Sequence, residues 1–535
     1  MEIKSNRAKW YVDSYNIGKS GVSFSCSDVE LKNVFDDCEN LCLQNRKFFG
    51  DYEVLIEGAK YNGVWLETQP MGGEMYAKRD LRIALANILI FLRNQRRDGK
   101  FPGMISQRDL WQSVAVHYDW MQGCFLAHSA LKMYYLIGEN REYLDLVYCA
   151  LRDFDEYLWS CRDSNGNGCL ESFCIWDTGE DNCTVHMLHG LKMPLHGAWG
   201  KDTPPRERSP FPYDSPQYMG YSYAARFVLS KISEILDNGE AELWRKRAED
   251  VRANARRVLW DEERCAFFQR DSSGEFVNAL TQENIKCMYL GLMTQDMADA
   301  FVKKHLMCDE EFWTPYPFPS IAANDPYFHV NEKYSNCKDL IEALDEKPHG
   351  IDDNSWSGPI NGLTWQRSID ALINYGYHAE TVLVGRRILE LLKKHRRYVQ
   401  NYNPFTGEPA VGENGYGPTL LAALEYVSFL CGVNIQYGMV YWSAAEKMGE
   451  FCYTQHMNGS AYTLKSDGER ISAFVNGVRI FSSVVGVRIV TDAYGNPKTA
   501  YCIGGGAIDF SFECNGNAIS CKLTPNEAAD LSDNS

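Results

Sequence analysis

The sequence predicts a mainly α-helical toroid followed by a small antiparallel β subdomain. From about residue 80 to 435, apolar residues recur at three- and four-residue spacing, as in "LRIALANILIFLRNQ" and "PTLLAALEYVSFLCG". Long loops rich in Gly, Pro, Asp and Trp separate these segments. After residue 436, β-branched residues alternate between turn pairs such as "DG" and "NG". An α-solenoid would give a similar helical pattern, but no fixed short repeat favours one.

These changes in pattern divide the chain into four segments. Residues 1–60 combine a polar lead with one helical stretch, and we expect them to form an extension packed on the toroid. Residues 61–435 would form the toroid and residues 436–525 the β-rich subdomain. The polar end "NEAADLSDNS", residues 526–535, predicts a frayed tail.

Composition excludes several classes of partner. The 535 residues carry a net charge of −17, so neither nucleic acid nor an anionic membrane surface is an expected partner. The apolar runs are too short to span a bilayer, and the first residues lack the apolar region of a secretory signal. The 18 cysteines are scattered without a CxxC pair, which predicts reduced thiols and a cytoplasmic protein. No cofactor is expected, and assembly as a homo-oligomer is left open.

Three long loops are candidates for chemistry, because loops above about 15 residues inside a compact domain are usually functional. The first contains "RDSNGNGCLESFCIWDTGEDNCT", in which Asp177, Glu180 and Asp181 lie beside Trp176. A carboxyl next to a large aromatic ring can have a raised pKa, which suits a general acid; a solvated acidic loop is the alternative. The same loop begins at Asp163 like a calcium loop, but Cys174 replaces the expected glutamate, so an Asx-rich turn is the alternative.

The other long loops and the N-terminal region supply polar and aromatic side chains that suit the hydroxyls and apolar faces of a sugar. Packing within the core or on the surface is the alternative for each of them taken singly. The candidate substrate-binding residues are Trp65, Glu67, Arg79, Asp119, Trp120, Gln122, Trp176, Asp177, Trp356, Arg367 and Glu413. No phosphate loop, GxSxG elbow or HExxH motif is present. His186 and His189 are three apart without a third ligand, so no metal site is predicted.

Taken together, the loop motifs resemble those of a known group of enzymes. In order they are "KFPGMI", "YLIGENREYLDLVYCALRDFDEYLWSCRDSNGNG", "WDTGEDN", "PFPSIAANDPYF", "SWSGPINGL", and "QNYNPFTGEPAVGENGYGPT". This set resembles the inverting glycoside hydrolases built on an (α/α)6 toroid, which include trehalases, processing α-glucosidases and mannosylglycerate hydrolases. The similarity runs from about residue 65 to 435 and is greatest to the last two. It implies hydrolysis of an α-glucoside or a related small saccharide.

The resemblance also implies roles for individual residues. The general acid of the group corresponds to Asp181, and its general base, the glutamate before Asn-Tyr-Asn-Pro, corresponds to Gln400. Two carboxyls on opposite faces of a sugar ring, about 6.5–9.5 Å apart, support inversion. Trp120, Trp176 and Trp356 would form the walls, with Asp119, Gln122 and Arg367 as partners of the hydroxyls. Where the group often has an arginine before Gly-Pro, this chain has Ser357, so Arg367 or Arg79 would take its place.

Gln400 is the main departure from the group, because a glutamine cannot take a proton from water. Three explanations stand: a deliberate Glu→Gln substitution that leaves the enzyme without its base, a natural enzyme that uses Glu408 or Glu413 instead, or a natural homologue without activity. The chain is therefore expected to be a base-disabled glycosidase. A carbohydrate-binding protein on the same fold is the alternative, and a sugar epimerase ranks last because epimerases usually rely on paired histidines.

Overall fold

The computed structural model describes residues 10–58, 61–108, 113–180, 183, 202–205, 211–328, 330, 356–410 and 412–532. Asp181, His186 and His189 lie outside the described residues. The α-helices in these ranges, numbered in chain order, are α1 Val29–Gln44, α2 Gln69–Tyr76, α3 Leu81–Arg93, α4 Leu126–Leu136, α5 Arg141–Cys161, α6 Pro216–Leu236, α7 Ala241–Leu259, α8 Glu283–Tyr289, α9 Gln295–Phe301, α10 Gly362–Ile373, α11 His378–His395 and α12 Gly417–Cys431.

The helices fall into two kinds that the sequence distinguishes. Every residue of α12 is buried, because its sequence is apolar around the whole circumference and neighbours cover it on all sides. Helix α7 buries one stripe that begins at Trp244 and recurs every three or four residues through Ala248 and Val251, while its charged residues face outward. Helix α12 is thus covered by neighbours on all sides, whereas α7 has one face in solvent.

Six of the described helices contact one another in a closed cycle. Helix α2 contacts α4, α4 contacts α6, α6 contacts α8, α8 contacts α10, α10 contacts α12, and α12 returns to α2. Helices α3, α5, α7 and α11 pack against members of this cycle from outside, and α1 packs on α11 and α12. The structure thus confirms a helical region followed by a β-rich C-terminal part.

The strands, also numbered in chain order, are mostly short before α12 and long after it. They are β1 Ser20–Cys26, β2 Arg46–Phe49, β3 Tyr52–Leu55, β4 Gly63–Trp65, β5 Met104–Gln107, β6 Val114–His117, β7 Glu171–Ser172, β8 Tyr213–Asp214, β9 Trp260–Asp261, β10 Ala266–Phe267, β11 Ile360–Asn361, β12 Asn401–Tyr402, β13 Gly432–Gln436, β14 Met439–Ala444, β15 Glu450–Met457, β16 Ser460–Asp467, β17 Arg470–Val475, β18 Val478–Val484, β19 Val487–Asp492, β20 Pro497–Cys502, β21 Ile508–Cys514, β22 Asn517–Leu523 and β23 Ala528–Asp530.

Two antiparallel sheets form the C-terminal region. One has the order β1-β15-β16-β17-β18-β21-β22 and the other β13-β14-β19-β20-β23. Aromatic side chains link them, since the ring of Trp442 on β14 lies 5.8 Å from that of Phe481 on β18 and 6.1 Å from that of Tyr462 on β16. Strands β13 and β14 also contact α12, which attaches the second sheet to the helical layer.

Two pairings lie outside the predicted segments. Strand β1, in the N-terminal extension, pairs antiparallel with β15, from Ser20 opposite Met457 to Cys26 opposite Phe451. Strand β23 pairs with β20, and Leu531 after it is fully buried. Residues 528–531 therefore differ from the expected frayed tail, because an edge strand and one apolar anchor hold them.

Two further properties concern the described ranges as a whole. None of their helices is long and apolar enough to cross a membrane. No disulfide joins two of their cysteines.

Candidate functional site

Most of the predicted site residues lie around the N-terminal ends of the helices in the closed cycle. Trp65 and Glu67 precede α2, Gln122 precedes α4, and Glu413 precedes α12. Unpaired N–H groups and the helix dipole make such ends electropositive, which favours acidic side chains and ligand oxygens there. The cycle therefore brings loops that are far apart in sequence to one end of the helical layer.

Gln400 is held between two of these helix ends. Its backbone carbonyl oxygen accepts a hydrogen bond from the N–H of Gly362, the first residue of α10, at 2.9 Å. The Thr419 hydroxyl in the first turn of α12 donates to Val399 O at 2.8 Å. On the side chain, Tyr61 Oη donates to Gln400 Oε1 at 2.8 Å. The half-buried amide is thus fixed in position by the backbone and by one tyrosine.

The tyrosine that holds Gln400 belongs to a group of aromatic rings. The Tyr61 ring lies 6.4 Å from that of Trp65, edge to face, and 6.2 Å from that of Tyr416. Trp120 and Trp176 form a second edge-to-face pair at 5.2 Å. Trp65 and Trp176 are partly exposed, as walls that contact a ligand would be.

Beneath these walls lies a fully buried layer of charges centred on Lys286 of α8. Its ammonium forms an ion pair with Glu180 at 2.9 Å and lies 3.7 Å from Glu67. Arg367 of α10 pairs with the same Glu67 at 2.7 Å. Gln282 donates a further hydrogen bond to Glu180. Two cations and two carboxylates thus neutralise one another out of contact with solvent.

The acid–base properties of this layer follow from its burial. Loss of solvent raises the pKa of Glu67, although Arg367 and Lys286 oppose that change. Burial, together with the charge of Glu180, raises the pKa of Glu283 in the first turn of α8 to about 8. Burial thus favours the protonated form of Glu283, which accepts hydrogen bonds from the Gln269 side chain and from Gln217 N.

The loop that leads to Asp181 is anchored on both sides of Gly179. Lys286 Nζ donates to Thr178 O at 3.2 Å as well as pairing with Glu180. Gly179 has a positive φ of 73°, and a Cβ at this position would collide with the carboxylate of Glu67. Close approach and backbone conformation both require glycine here. The segment before Asp181 is thus fastened to the buried charges.

Asp177 performs a structural task in this loop. Arg162 Nη1 pairs with its Oδ2 at 2.6 Å, and Met121 N and Phe173 N donate to its two oxygens. Burial would raise the pKa of Asp177, but Arg162, Lys100 and the Phe173 N–H outweigh it and hold the pKa below its usual value. The carboxylate is fully buried and has no face for a sugar, which corrects its expected contact with substrate.

Arg79 also departs from its expected place. It follows the C-terminal end of α2, whereas the site surrounds the N-terminal end of that helix. Its guanidinium pairs with Glu39 at 2.8 Å and lies 3.9 Å from Glu425. Lys78 beside it pairs with Glu425 at 2.6 Å. These cations match the negative ends of the helices, and Arg79 is therefore not a substrate-binding residue.

The remaining predicted residues are placed as follows. Gln122 is buried and its N–H donates to Trp176 O at 3.2 Å, while Trp356 is buried with Lys286 5.5 Å above its ring. Asp119 is partly exposed in the loop before α4. Glu408 and Glu413, the alternative bases, are exposed. None of the residues placed by the structure forms a cluster suited to a metal.

The loop at Asp163 makes the hydrogen bonds of an Asx-rich turn. The Asp163 carboxylate accepts from Gly168 N, and Asn165 Oδ1 accepts from Asn167 N. Both asparagine amides donate to Asp214. The oxygens expected to hold calcium are thus used by the loop itself.

Sequence reasoning missed Lys286, Glu283 and Tyr61. Lys286 carried one weak signal, a lone lysine in the apolar stretch "NIKCMYLGLM". Glu180 was noticed only as a neighbour of Asp181. Tyr61 had no signal beyond its position four residues before Trp65.

Comparison with known proteins identifies the family. Residues 74–417 match the model of the mannosylglycerate hydrolase MGH1-like glycoside hydrolase domain. No curated protein matches the chain by sequence. Among solved structures, a GH63 mannosylglycerate hydrolase from Thermus thermophilus in complex with glucose superimposes with a TM-score of 0.58 and 17% identity, covering 74% of this chain and 99% of that one.

Two larger proteins share the fold over more of the chain. A sialidase superimposes with a TM-score of 0.63 and 15% identity, covering 92% of this chain and 45% of that one. An α-L-rhamnosidase from Dictyoglumus thermophilum superimposes with a TM-score of 0.52 and 11% identity, covering 96% of this chain and 50% of that one. The family match spans more than half of the sequence and confirms the resemblance carried by the loop motifs. The chain belongs to the MGH1-like glycoside hydrolase family.

Proposed function

We propose that this chain cleaves an α-glucoside or a related small oligosaccharide with inversion, in a site at the N-terminal ends of an (α/α)6 toroid. The closed cycle of helix contacts, with further helices packed outside it, supports the toroid. The family match supports hydrolysis of a glycoside. The sugar would lie between the loop of Asp181 and that of Gln400, against Trp65, Trp120 and Trp176.

Asp181 is the proposed general acid. Inversion needs one group that protonates the departing oxygen and another that activates water on the opposite face. The described part of its loop, held by Lys286 through Thr178 O and the Glu180 carboxylate, would keep the acid in place. Lys286 acts through that loop and is a positioning residue.

Gln400 corresponds by motif to the general base of the group, and its fixed place at the end of α10 is the observation that supports the proposal. The amide is fixed by Tyr61 Oη and by the end of α10, where a glutamate of nearly the same shape would fit. An amide orients water but accepts no proton, so water attack is unassisted. Loss of a general base typically costs about 10²–10⁴-fold in rate, and the chain is therefore a weak hydrolase.

The experiment compares three forms of the chain on a panel of small α-glycosides, with product anomer followed by NMR. The unsubstituted chain is expected to hydrolyse slowly, Gln400→Glu faster, and Gln400→Glu with Asp181→Asn slowly again. Full activity without Asp181, combined with no gain from Gln400→Glu, would refute both assignments. Tight saccharide binding by calorimetry without turnover by any form would instead support a carbohydrate-binding protein.

A further inference from the structure

Position 400 presents hydrogen-bond donors where a hydrolase presents an acceptor. Because Tyr61 Oη donates to Oε1, the amide N–H groups are left to contact a ligand. No described residue accepts a hydrogen bond from Gln400 Nε2. The indole N–H of Trp65, whose ring lies against that of Tyr61, is also buried without an acceptor among the residues described. Gln400 and Trp65 both contact Tyr61 and both have donors without described acceptors, which favours a ligand that brings lone pairs and no proton to remove.

The described carboxylates around Tyr61 and the buried layer are held in hydrogen bonds or ion pairs. Glu57 Oε1 accepts the Tyr416 hydroxyl at 2.8 Å, and the Tyr416 ring lies 6.2 Å from that of Tyr61. Glu67 and Glu180 are paired with Arg367 and Lys286 in the buried layer. Gln400 itself is neutral, whereas a glutamate would repel an incoming anion. The N-terminal ends of α10 and α12 lie directly beneath.

An anionic oxygen nucleophile needs no general base, because it carries no proton that must leave as it attacks. Water at the same place does need one. The change from glutamate to glutamine thus disables attack by water and removes a repulsion against an oxyanion. A glutamine at position 400 thus disfavours water and favours an anionic nucleophile.

We propose that inorganic phosphate is the nucleophile at Gln400, and that the chain is an inverting glycoside phosphorylase. This inference rests on the bond cleavage and the acid of the proposed function. A phosphate oxygen forms a bond to the anomeric carbon as the glycosidic C–O bond breaks. The departing oxygen takes the proton of Asp181, which is restored from solvent. No redox change occurs, and the products are the shortened saccharide and a glycosyl phosphate of inverted anomeric configuration.

The test measures turnover with and without millimolar phosphate. The substrates are α-glucosyl and α-mannosyl fluorides, whose fluoride departs without acid assistance, and a panel of natural disaccharides. Glycosyl phosphate is followed by phosphorus NMR. Sulfate at equal ionic strength controls for salt, and azide controls for rescue by any small anion. The variants are Gln400→Glu and Trp65→Phe, the second of which removes one donor and keeps the aromatic wall.

The proposal expects saturable, phosphate-specific acceleration of at least about 10²-fold, which is the lower end of what base assistance supplies. Trp65→Phe should weaken the phosphate response, and Gln400→Glu should abolish it while hydrolysis rises. Turnover by Gln400→Glu without a phosphate response in the unsubstituted chain would overturn the phosphorylase and leave the proposed function intact. A response to azide equal to that to phosphate would overturn it too. No turnover by any form would overturn both.

Discussion

Replacing Lys286 with methionine removes the cation at the centre of the buried charge layer. The ammonium is fully buried and contacts the Glu180 carboxylate at 2.9 Å, Gln217 Oε1 at 3.1 Å and Thr178 O at 3.2 Å. Methionine fills similar volume but leaves Glu180 without an opposite charge. Breaking a buried pair in this way costs about 3–5 kcal/mol of unfolding free energy.

The cost should depend on pH in a direction that the pKa of Glu67 sets. Burial already raises this pKa in the native protein, and Lys286 is one of the two cations that oppose the rise. Without Lys286 the pKa rises further, so the folded state retains a proton that the unfolded state releases. A group with a raised native pKa contributes stability at low pH that is lost as pH rises. The defect of Lys286→Met is therefore expected to be larger at pH 8 than at pH 5.

The assay is urea unfolding of the variant at both pH values, followed by fluorescence. Lys246→Met is the matched control, because Lys246 is exposed on α7 and forms an exposed ion pair with Asp250 at 2.7 Å. Exposed pairs contribute about 0–1 kcal/mol, so the control should unfold almost as the unsubstituted chain does. A loss of less than about 1 kcal/mol of unfolding free energy for Lys286→Met would refute the reasoning, because removing a buried cation whose partners stay charged is strongly destabilising.

Three further substitutions test other parts of the site. The stability of the unsubstituted chain should fall between pH 4.5 and 8, because the Glu283 carboxyl ionises in the unfolded state first and its native pKa is about 8. Glu283→Gln should flatten this fall, and equal pH profiles of the two chains in urea unfolding would contradict the prediction. Gly179→Ala should lose more stability than Gly274→Ala, since both have positive φ but only the first Cβ would meet Glu67; similar melting temperatures would count against the close approach. Asp177→Asn should lower the free energy of unfolding by about 3–5 kcal/mol at neutral pH. Because the native pKa of Asp177 is lowered, the unsubstituted chain loses stability as pH falls below the usual aspartate pKa, and the variant should lose less over that range. An unchanged unfolding free energy in calorimetry would argue against the structural role of Asp177.

Local patterns predicted much of the fold, and long-range pairing accounts for what they left out. The apolar run of α12 and the alternation after residue 436 are visible within a window of a few residues. The pairing of β1 with β15 joins segments more than 400 residues apart, and no local signal specifies it. The stretch around the short strand β23, "NEAADLSDNS", is mostly polar and therefore predicts a tail; pairing with β20 holds the strand nevertheless.

The candidate site was predicted where residues stand in a motif and missed where they support one. Gln400 follows from its place before Asn-Tyr-Asn-Pro, and the structure adds the hydrogen bond from Tyr61. Lys286 was missed because a lone lysine in an apolar helix usually extends to solvent, and only the fold shows that it points inward. Arg79 was misplaced because sequence alone does not show which end of α2 faces the site.

The most direct test of the account is the rate of glycoside hydrolysis by Gln400→Glu relative to the unsubstituted chain, measured in phosphate-free buffer. The substitution restores a proton acceptor in the position that Tyr61 and the end of α10 already hold. The account predicts a gain of about 10²–10⁴-fold, with inverted product. An unchanged rate in a folded variant that still binds the saccharide would contradict it.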